Sequence, residues 1–168
     1  PVITLRQPAP QAVRIDPFVF SSSIYGIDPG TGRLGATVQD QFNLAFQNMR
    51  TLLDLGGAVP SDVGRLYVYL KDWSHQRVYN EPWLALYPDE ADRPSRVRYE
   101  TDLLEAGPMP EAELALRFIA VLPTGFRPGP ARTLDVPGVR HGVPIPMGTM
   151  AGNLFFSSAI GGEASSNN

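Results

Sequence analysis

The segment from Thr37 to Gly57 carries the clearest hydrophobic period of the chain. Its apolar residues recur at i, i+4, i+7, i+8, i+11, i+14 and i+15, which places them on one face of an α-helix: Val38, Phe42, Ala45, Phe46, Met49, Leu52 and Leu53. Thr37 followed by Asp40 is typical of a helix N-terminus, because both side chains can accept the free N–H groups of the first turn. Gly56 and Gly57 mark the end of this predicted amphipathic helix.

Alternation of apolar and more polar residues from Arg65 to Leu70 (RLYVYL) predicts a strand with one face in the core. FVFSSSIYG, which begins at Phe18, is rich in β-forming residues, and the following IDPGTGRLG supplies turn residues, so we expect a strand and a tight hairpin. WSHQRVYNEPWLALY predicts a second helical segment, with Pro82 near an irregular first turn. SRVRYETDLL and AELALRFIAVLP predict two more strands, joined by the turn residues EAGPMP.

This order of elements predicts an α+β fold, in which a sheet carries two helices on one face. The opposite face of such a sheet is apolar and needs cover. Oligomerisation usually supplies that cover, and closed rings are the common arrangement.

Two short sequences near the two ends of the chain are alike. FVFSSSIYG begins at Phe18 and LFFSSAIGG at Leu154, 136 positions later, so that Ser22 aligns with Ser158. Between them, TGFRPGPARTLDVPGVRHGVP is rich in proline, glycine and arginine, which is typical of a linker. We interpret residues 1–123 as one complete domain, residues 124–142 as a linker and residues 143–168 as the first strand and turn of a second domain.

Composition excludes several kinds of chemistry. A formal net charge of −3 with scattered basic residues favours neither nucleic acid nor an anionic membrane as a partner. The chain has no cysteine, and its two histidines, His75 and His141, lie far apart, so we predict no metal site and no cofactor. The start of the chain, PVITLRQPAPQAVR, has no apolar core of a signal peptide, and we interpret the protein as cytoplasmic.

Residues from about Val19 to Pro123 resemble one whole domain of the Rid (YjgF) family of reactive-intermediate deaminases. The resemblance rests on five pieces in the same order and spacing: FSSSIYGIDPGTGRL, QDQFNLAFQNMRTLLDLGGAVPSDVGRLYVYLKD, VYNEPW, RPSRVRYE and LALRFIAV. It implies a chorismate-mutase-like α+β fold with a mixed sheet, assembled as a trimeric or pseudo-trimeric barrel whose sites lie in clefts between subunits.

The resemblance also implies a binding site. Arg96 holds the position of the family's carboxylate-binding arginine, and a guanidinium suits this task because it grips a carboxylate with two hydrogen bonds. Arg98 lies two residues later, on the same face of a strand, which suggests a substrate with two carboxylates; a solvated surface pair is the alternative. Asn80 matches the family's site asparagine, with helix capping as the alternative.

Ser22 and Ser23 lie in the strand that lines the family's pocket, although their hydroxyls could equally satisfy a sheet edge. We therefore expect Asn80 and Ser22 to orient the reacting groups, and Arg96, Arg98 and Ser23 to bind a small anionic substrate.

The closing strand departs from the family pattern, because Ala115 and Arg117 stand where family deaminases carry acids, one of which positions the attacking water. Two classes of function remain open. The first is a deaminase acting on an enamine or imine of a dicarboxylate, such as a 2-aminomuconate-like intermediate of aromatic amine degradation. The second is a ligand-binding relative without catalysis.

The polar tail GGEASSNN suggests a third possibility, which is cleavage of a longer tandem polypeptide after Asn168. A second chain would then complete the C-terminal domain, and its first residue could be the nucleophile of an amide hydrolase. An artificial chain end, or a nick by an ordinary protease, is the plain alternative.

The uncovered sheet face gives the first testable prediction. We expect the protein to form a homo-oligomer with threefold or pseudo-threefold symmetry, a trimer or a ring of six domains, because that arrangement covers the face opposite the helices. Native mass spectrometry measures the assembly directly. A purely monomeric mass at micromolar protein would contradict the prediction.

Overall fold

The structure is a computed structural model that describes residues 9–101, 104, 109–123, 131–139 and 141–160. In these residues the strands and α-helices are, in chain order, β1 (Ala12–Ile15), β2 (Phe18–Ser21), α1 (Val38–Gly56), β3 (Val63–Leu70), α2 (Asn80–Leu86), β4 (Ser95–Glu100), β5 (Leu114–Val121), β6 (Arg132–Leu134), β7 (Gly148–Ala151) and β8 (Leu154–Ser157).

The main sheet has five strands in the order β1-β2-β5-β3-β4. Strand β4 runs parallel to β3, and the other neighbours are antiparallel. The predicted α+β fold with a mixed sheet and two helices is therefore confirmed. Although β4 and β5 follow one another in the chain, β3 lies between them, and this leaves β4 at the edge of the sheet.

Helix α1 forms as its sequence predicts. The Thr37 hydroxyl accepts the Asp40 N–H at 3.1 Å, and the Asp40 carboxylate accepts the Thr37 N–H at 3.1 Å, so both residues satisfy the first turn. Gly57 ends the helix with φ of 75°, a left-handed conformation that favours glycine. The predicted bounds of this helix are confirmed.

Both helices pack on the same face of the sheet and form the main core with it. The aromatic and aliphatic side chains of this core include Phe42, Phe46, Met49, Leu53, Leu66, Val68, Leu70, Tyr79, Trp83, Leu114, Leu116 and Phe118. The second helical segment divides into a 3-10 turn at Trp73–Arg77 and α2, with Pro82 as the third residue of α2.

The first strand differs from its prediction. Strand β2 ends at Ser21, and beyond it only single bridges form, such as the bridge from Ile27 to Leu34 around the Asp28 turn. Its hairpin partner is β1, which precedes it and which the pattern of residues did not predict. Strand β4 likewise ends at Glu100, short of the predicted Leu104.

The hairpin β7–β8 repeats the hairpin β1–β2 residue for residue. Ala12 pairs with Ser21 in the first hairpin, and Gly148 pairs with Ser157 in the second, with all four partner pairs retained at the offset of 136 positions. The hydrogen bonds repeat as well. The Ser22 hydroxyl donates to the Pro10 carbonyl at 2.7 Å, and the Ser158 hydroxyl donates to the Pro146 carbonyl at 2.6 Å. The similarity of the two sequences thus reflects the same local structure.

The second hairpin packs on the face of the main sheet that the helices leave open. Phe156 lies against Gly64, and the Arg65 guanidinium donates to the Ser157 carbonyl at 2.8 Å. A small apolar cluster forms between the two layers from Phe18, Val121, Ala131, Ala151, Leu154 and Phe156. Part of the face that was expected to need an oligomeric partner is therefore covered by the chain itself.

Two apolar residues of the second hairpin lack the cover that their counterparts have. Val19 is 1% exposed beneath α1, whereas the equivalent Phe155 is 57% exposed. Ile24 is 5% exposed and bridges to Leu116, whereas the equivalent Ile160 is 68% exposed. The first hairpin is covered by α1 and β5, and the described residues provide no second set of these elements.

Strand β6 lies inside residues 124–142, the segment predicted to be a linker, and pairs with β7. The assignment of residues 143–168 to a second domain stays a prediction, and the tail from residue 161 lies outside the described residues. No helix in the described part of the chain is long and apolar enough to cross a membrane.

The close contact at Gly64 gives a prediction about the second hairpin. A Cβ atom added at Gly64 would lie 2.6 Å from the Phe156 ring, so Gly64→Ala should displace that ring. We expect a loss of about 1–3 kcal/mol in the free energy of unfolding, measured by urea denaturation, as for other overpacked cores. We also expect faster amide exchange in β8.

Gly142→Ala is the matched control, because nothing lies within 4 Å of the added Cβ there. If Gly64→Ala were as stable as Gly142→Ala and β8 stayed equally protected, the packing of the hairpin on β3 would be refuted.

Candidate functional site

The two predicted binding arginines lie on strand β4. Arg96 is in register with Leu66 of β3, and Arg98 is in register with Val68. Because Leu66 and Val68 point into the main core, both arginines point to the helix-bearing face. The parallel crossover through α2 places Tyr79 and Trp83 above this edge of the sheet.

The guanidinium of Arg96 is buried between two aromatic rings. Its central carbon lies 4.5 Å from the ring centre of Tyr79 and 4.5 Å from that of Trp83, and the residue is only 1% exposed. Among the residues that the structure describes, none of its three side-chain nitrogens has a hydrogen-bond partner. Burial lowers the pKa of Arg96 to about 10; Tyr79 opposes this shift, and the nearby Arg98 and Arg93 add to it.

A buried cation without a partner is costly, because water no longer solvates its charge. The two rings offset part of this cost through cation–π contacts, but they leave the N–H donors unsatisfied. With a pKa of about 10 the guanidinium stays charged at neutral pH. The arrangement therefore favours an anion that can accept these hydrogen bonds.

Arg98 supplies a second positive charge on the same face. Its guanidinium carbon lies 4.6 Å from the ring centre of Trp73, and one terminal nitrogen is buried without a partner in the described part of the chain. It is only partly buried and lies closer to the end of the strand.

Asn80 begins α2, next to Tyr79. The N-cap of the helix is Tyr79 and no side chain caps it, so the alternative that Asn80 is a capping residue is wrong. The Asn80 side-chain carbonyl oxygen is buried, and no described residue donates a hydrogen bond to it. Asn80 thus offers a free acceptor on the helix that also carries the ring stacked on Arg96.

The structure does not bring Ser22 and Ser23 to the arginines within one chain. Ser22 donates to the Pro10 carbonyl at 2.7 Å, and the Ser23 hydroxyl accepts two hydrogen bonds from the Arg117 guanidinium, at 3.0 Å and 2.9 Å. Both serines follow β2, and β5 and β3 separate that strand from β4. They line a different region, where Ser23 borders a cavity of about 170 Å³.

Ala115 and Arg117 occupy the two β5 positions where acids were expected, and both make other contacts. Ala115 is buried opposite Tyr69 of β3, and Arg117 stacks over the Tyr69 ring at 5.2 Å while it binds Ser23. Burial raises the pKa of the neighbouring Tyr25, and its hydrogen bond to Ser23 and the charge of Arg117 partly oppose that shift. This region is therefore positively charged and holds no carboxylate at either position.

The serine that does contact Arg96 comes from the second hairpin. The backbone N–H of Arg96 donates to the Ser158 hydroxyl oxygen at 3.1 Å, and Ser158 donates to Pro146. The Trp83 indole N–H donates to the Pro144 carbonyl at 3.2 Å. The sequence contained one signal for Ser158, its alignment with the candidate Ser22, but no signal for its contact with Arg96.

His141 is a further residue that the sequence did not single out. It borders a cavity of about 370 Å³ together with Glu90, Asp135, Val143 and Ile145, and its Nε2 atom is buried without a partner among the described residues. Burial lowers the pKa of His141; Asp135 opposes the shift, whereas Arg96 and Arg98 add to it. The charges of the two arginines thus act in the same direction as burial and disfavour the charged form of His141.

No cluster of three or more metal-ligating residues is present in the described ranges. The proposed cleavage site Asn168 lies outside the described residues.

Known proteins match the part of the chain that precedes β6. Residues 6–121 match the family described as "Endoribonuclease L-PSP", a range that stops before β6. The chloroplastic Reactive Intermediate Deaminase A of Arabidopsis thaliana is 30% identical over 116 residues, which are 68% of this chain and 59% of that protein. A RutC family protein of Pyrococcus abyssi is 29% identical over 107 residues, 63% of this chain and 83% of that protein.

Solved structures share the fold. TdcF of Escherichia coli, solved with bound serine, is 26% identical with a TM-score of 0.61 and covers 68% of this chain and 88% of its own. RidA of an Antarctic Psychrobacter is 24% identical with a TM-score of 0.63 and covers 71% of this chain and 92% of its own.

The unpaired charge of Arg96 gives a prediction that separates binding from stability. Arg96→Met keeps an apolar side chain between the two rings and removes the buried charge, so we expect the free energy of unfolding to rise by about 1 kcal/mol or more. Because the folded-state pKa of Arg96 is lowered, the destabilisation by its charge is present below pH 10 and is relieved as pH rises through about 10. The gain from Arg96→Met should therefore shrink above pH 10.

Urea denaturation at pH 7 and at pH 10.5 measures this difference. Arg50→Met, at an exposed position of α1, is the control. A loss of stability in Arg96→Met at pH 7 would show that the guanidinium is a structural element and would count against a ligand site.

Proposed function

The chain belongs to the endoribonuclease L-PSP family and is similar to RutC and Rid proteins, and from this membership we propose that it is a deaminase. In the proposed reaction it hydrolyses an imine or enamine and releases ammonia. The names of its relatives support this general role, since several are called reactive intermediate deaminases. The family description also names an endoribonuclease, but a net charge of −3 gives no support for binding RNA.

The observation that carries the proposal is the buried, unpaired guanidinium of Arg96. A substrate carboxylate would accept its hydrogen bonds and neutralise its charge, which would remove the cost of burying it. Arg98 on the same face extends the positive region. We therefore propose a dicarboxylate as the substrate, an enamine or imine of the 2-aminomuconate type.

The reaction adds water across a carbon–nitrogen double bond. An enamine first gains a proton at carbon and loses one from nitrogen, which gives the imine. Water then attacks the imine carbon and gives up a proton, and the nitrogen of the tetrahedral product takes up a proton and leaves as ammonia while the hydroxyl loses its proton and becomes the carbonyl. The free side-chain oxygen of Asn80 could hold the attacking water, but an amide is not a base. His141 has a buried ring nitrogen, Nε2, without a partner among the described residues, and burial lowers its pKa, so we propose it as the group that accepts the proton.

Ser22 and Ser23 have no place at this site within one chain. A role for either serine requires a neighbouring subunit that brings its own arginines to them, as in the expected ring. We also propose that residues 143–168 are the start of a second domain and that a second chain completes this domain.

A second function has one observation in its favour. Arg117 and Ala115 replace the acids of the closing strand, and Arg117 already binds Ser23. A protein that binds a small anion and does not turn it over would have no need of those acids. The proposed alternative is thus a non-catalytic ligand-binding member of the family.

An activity assay distinguishes the two functions. An amino acid oxidase produces 2-imino acids in situ from glutamate, which carries two carboxylates, or from norvaline, which carries one. We expect the protein to accelerate ammonia release from both, with a preference for the dicarboxylate. No acceleration, together with measurable binding of 2-oxoglutarate, would favour the non-catalytic alternative.

Variants then test the two arginines. Arg96→Met should lower kcat/KM for both imines by about 10- to 100-fold, as expected for the loss of charge-assisted hydrogen bonds. Arg98→Met should lower it only for the imine of glutamate, while Arg50→Met should leave both unchanged. An Arg98→Met protein with unchanged preference for the dicarboxylate would refute the two-carboxylate assignment.

A further inference from the structure

The two hairpins are alike in local structure but differ in what they contact. In both, a serine hydroxyl donates to a proline carbonyl, and the serine N–H donates to a backbone carbonyl: Ser22 to Gln11 at 2.9 Å and Ser158 to Met147 at 2.8 Å. Only Ser158 has a further partner, the backbone N–H of Arg96. The extra contact thus arises from where the second hairpin is docked and not from its own fold.

Several contacts with β3 and α2 hold the second hairpin next to β4. Arg65 of β3 donates to the Ser157 carbonyl, Trp83 of α2 donates to the Pro144 carbonyl, and Phe156 packs against Gly64. Ser158 itself is 2% exposed, and Arg96 is 1% exposed. The hairpin and the segment that leads into it therefore enclose the arginine on the side that β4 would otherwise expose.

Resting on the proposed anion-binding role of Arg96, we propose that hairpin β7–β8 forms the second half of that site within the same chain, with Ser158 as its positioning residue. Each chain then builds the site between its two repeats and needs no second subunit to complete it.

Ser158 can set the position of the guanidinium through two connected hydrogen bonds. Its oxygen accepts the N–H of Arg96, which fixes the strand from which the arginine extends. Its proton goes to the Pro146 carbonyl, two residues after the carbonyl that holds Trp83. Since Trp83 is one of the rings stacked on Arg96, Ser158 connects the arginine backbone to the ring that orients its side chain.

Serine-to-alanine variants test the positioning role. We expect Ser158→Ala to raise the dissociation constant of 2-oxoglutarate, a stable dicarboxylate, at least fivefold in isothermal titration calorimetry, and Ser158→Thr to keep most of the affinity. Ser21→Ala is the matched control, because the Ser21 hydroxyl also accepts a strand N–H, from Phe118 at 2.8 Å, but lies away from Arg96. Equal affinity in the wild type and in Ser158→Ala would overturn the proposal.

A second readout needs no ligand. Trp83 is one of two tryptophans, so in a Trp73→Phe background it reports directly on the packing around Arg96. We expect Ser158→Ala to increase quenching of Trp83 fluorescence by acrylamide, and Ser21→Ala to leave it unchanged. If the wild type bound no 2-oxoglutarate, the dicarboxylate part of the proposed function would fail, whereas this readout would still decide the role of Ser158.

Mixing two variants that each bind weakly tests whether the site forms within one chain. Arg96→Met lacks the arginine and Ser158→Ala lacks the serine. If both residues of a site come from the same chain, co-expression of the two variants should not restore the wild-type affinity for 2-oxoglutarate. Recovery of wild-type affinity in about a quarter or more of the sites would show that neighbouring chains exchange hairpins, and would overturn the proposal.

Discussion

Arg96, a cation buried between Tyr79 and Trp83 without a counter-ion in the described part of the chain, is the constraint on which the arrangement around it depends. The two rings can compensate a positive charge only if they stay on either side of it, and that requires helix α2 to lie directly above the edge of the sheet. The crossover from β3 through α2 to the parallel strand β4 produces this geometry. The same crossover leaves β4 with one open edge, which the second hairpin covers through Ser158.

Buried polar atoms without a partner among the described residues occur on other elements besides β4. Asn80 has a free acceptor and His141 a free ring nitrogen, both buried, in addition to the three nitrogens of the arginine. Unpaired polar atoms of this kind usually cost stability, and a folded protein retains few of them. These unpaired atoms lie on α2, β4 and the segment before β7. Such an arrangement is consistent with a ligand-binding site.

The parts of the fold that the sequence predicted are those set by local interactions. Helix α1 was predicted with its ends, because its period and the side chains of Thr37 and Asp40 act over a few residues. Strand β1 was missed, since it is only four residues long and three of the four are exposed, so no buried face marks it in the sequence. The contact between Arg96 and Ser158 could not be predicted, because it joins residues 62 positions apart through the docking of a second layer.

Resemblance to the family identified Arg96 and Ser22 as candidates, in a cleft that it places between subunits. Within one chain, β5 and β3 lie between their strands, and the serine in contact with Arg96 is Ser158, the equivalent of Ser22 in the repeat. A sequence alignment assigns Ser22 and Ser158 to the same position of the repeated hairpin. It does not say which of the two serines contacts strand β4.

The covalent connection between β5 and β7 has a consequence for how the enclosure of Arg96 responds to concentration. The hairpin and β4 belong to one chain, so the docking of the hairpin is a unimolecular equilibrium. Dilution, which dissolves an interface between separate subunits, leaves such an equilibrium unchanged. The surroundings of this arginine would then be the same in a scarce protein as in an abundant one.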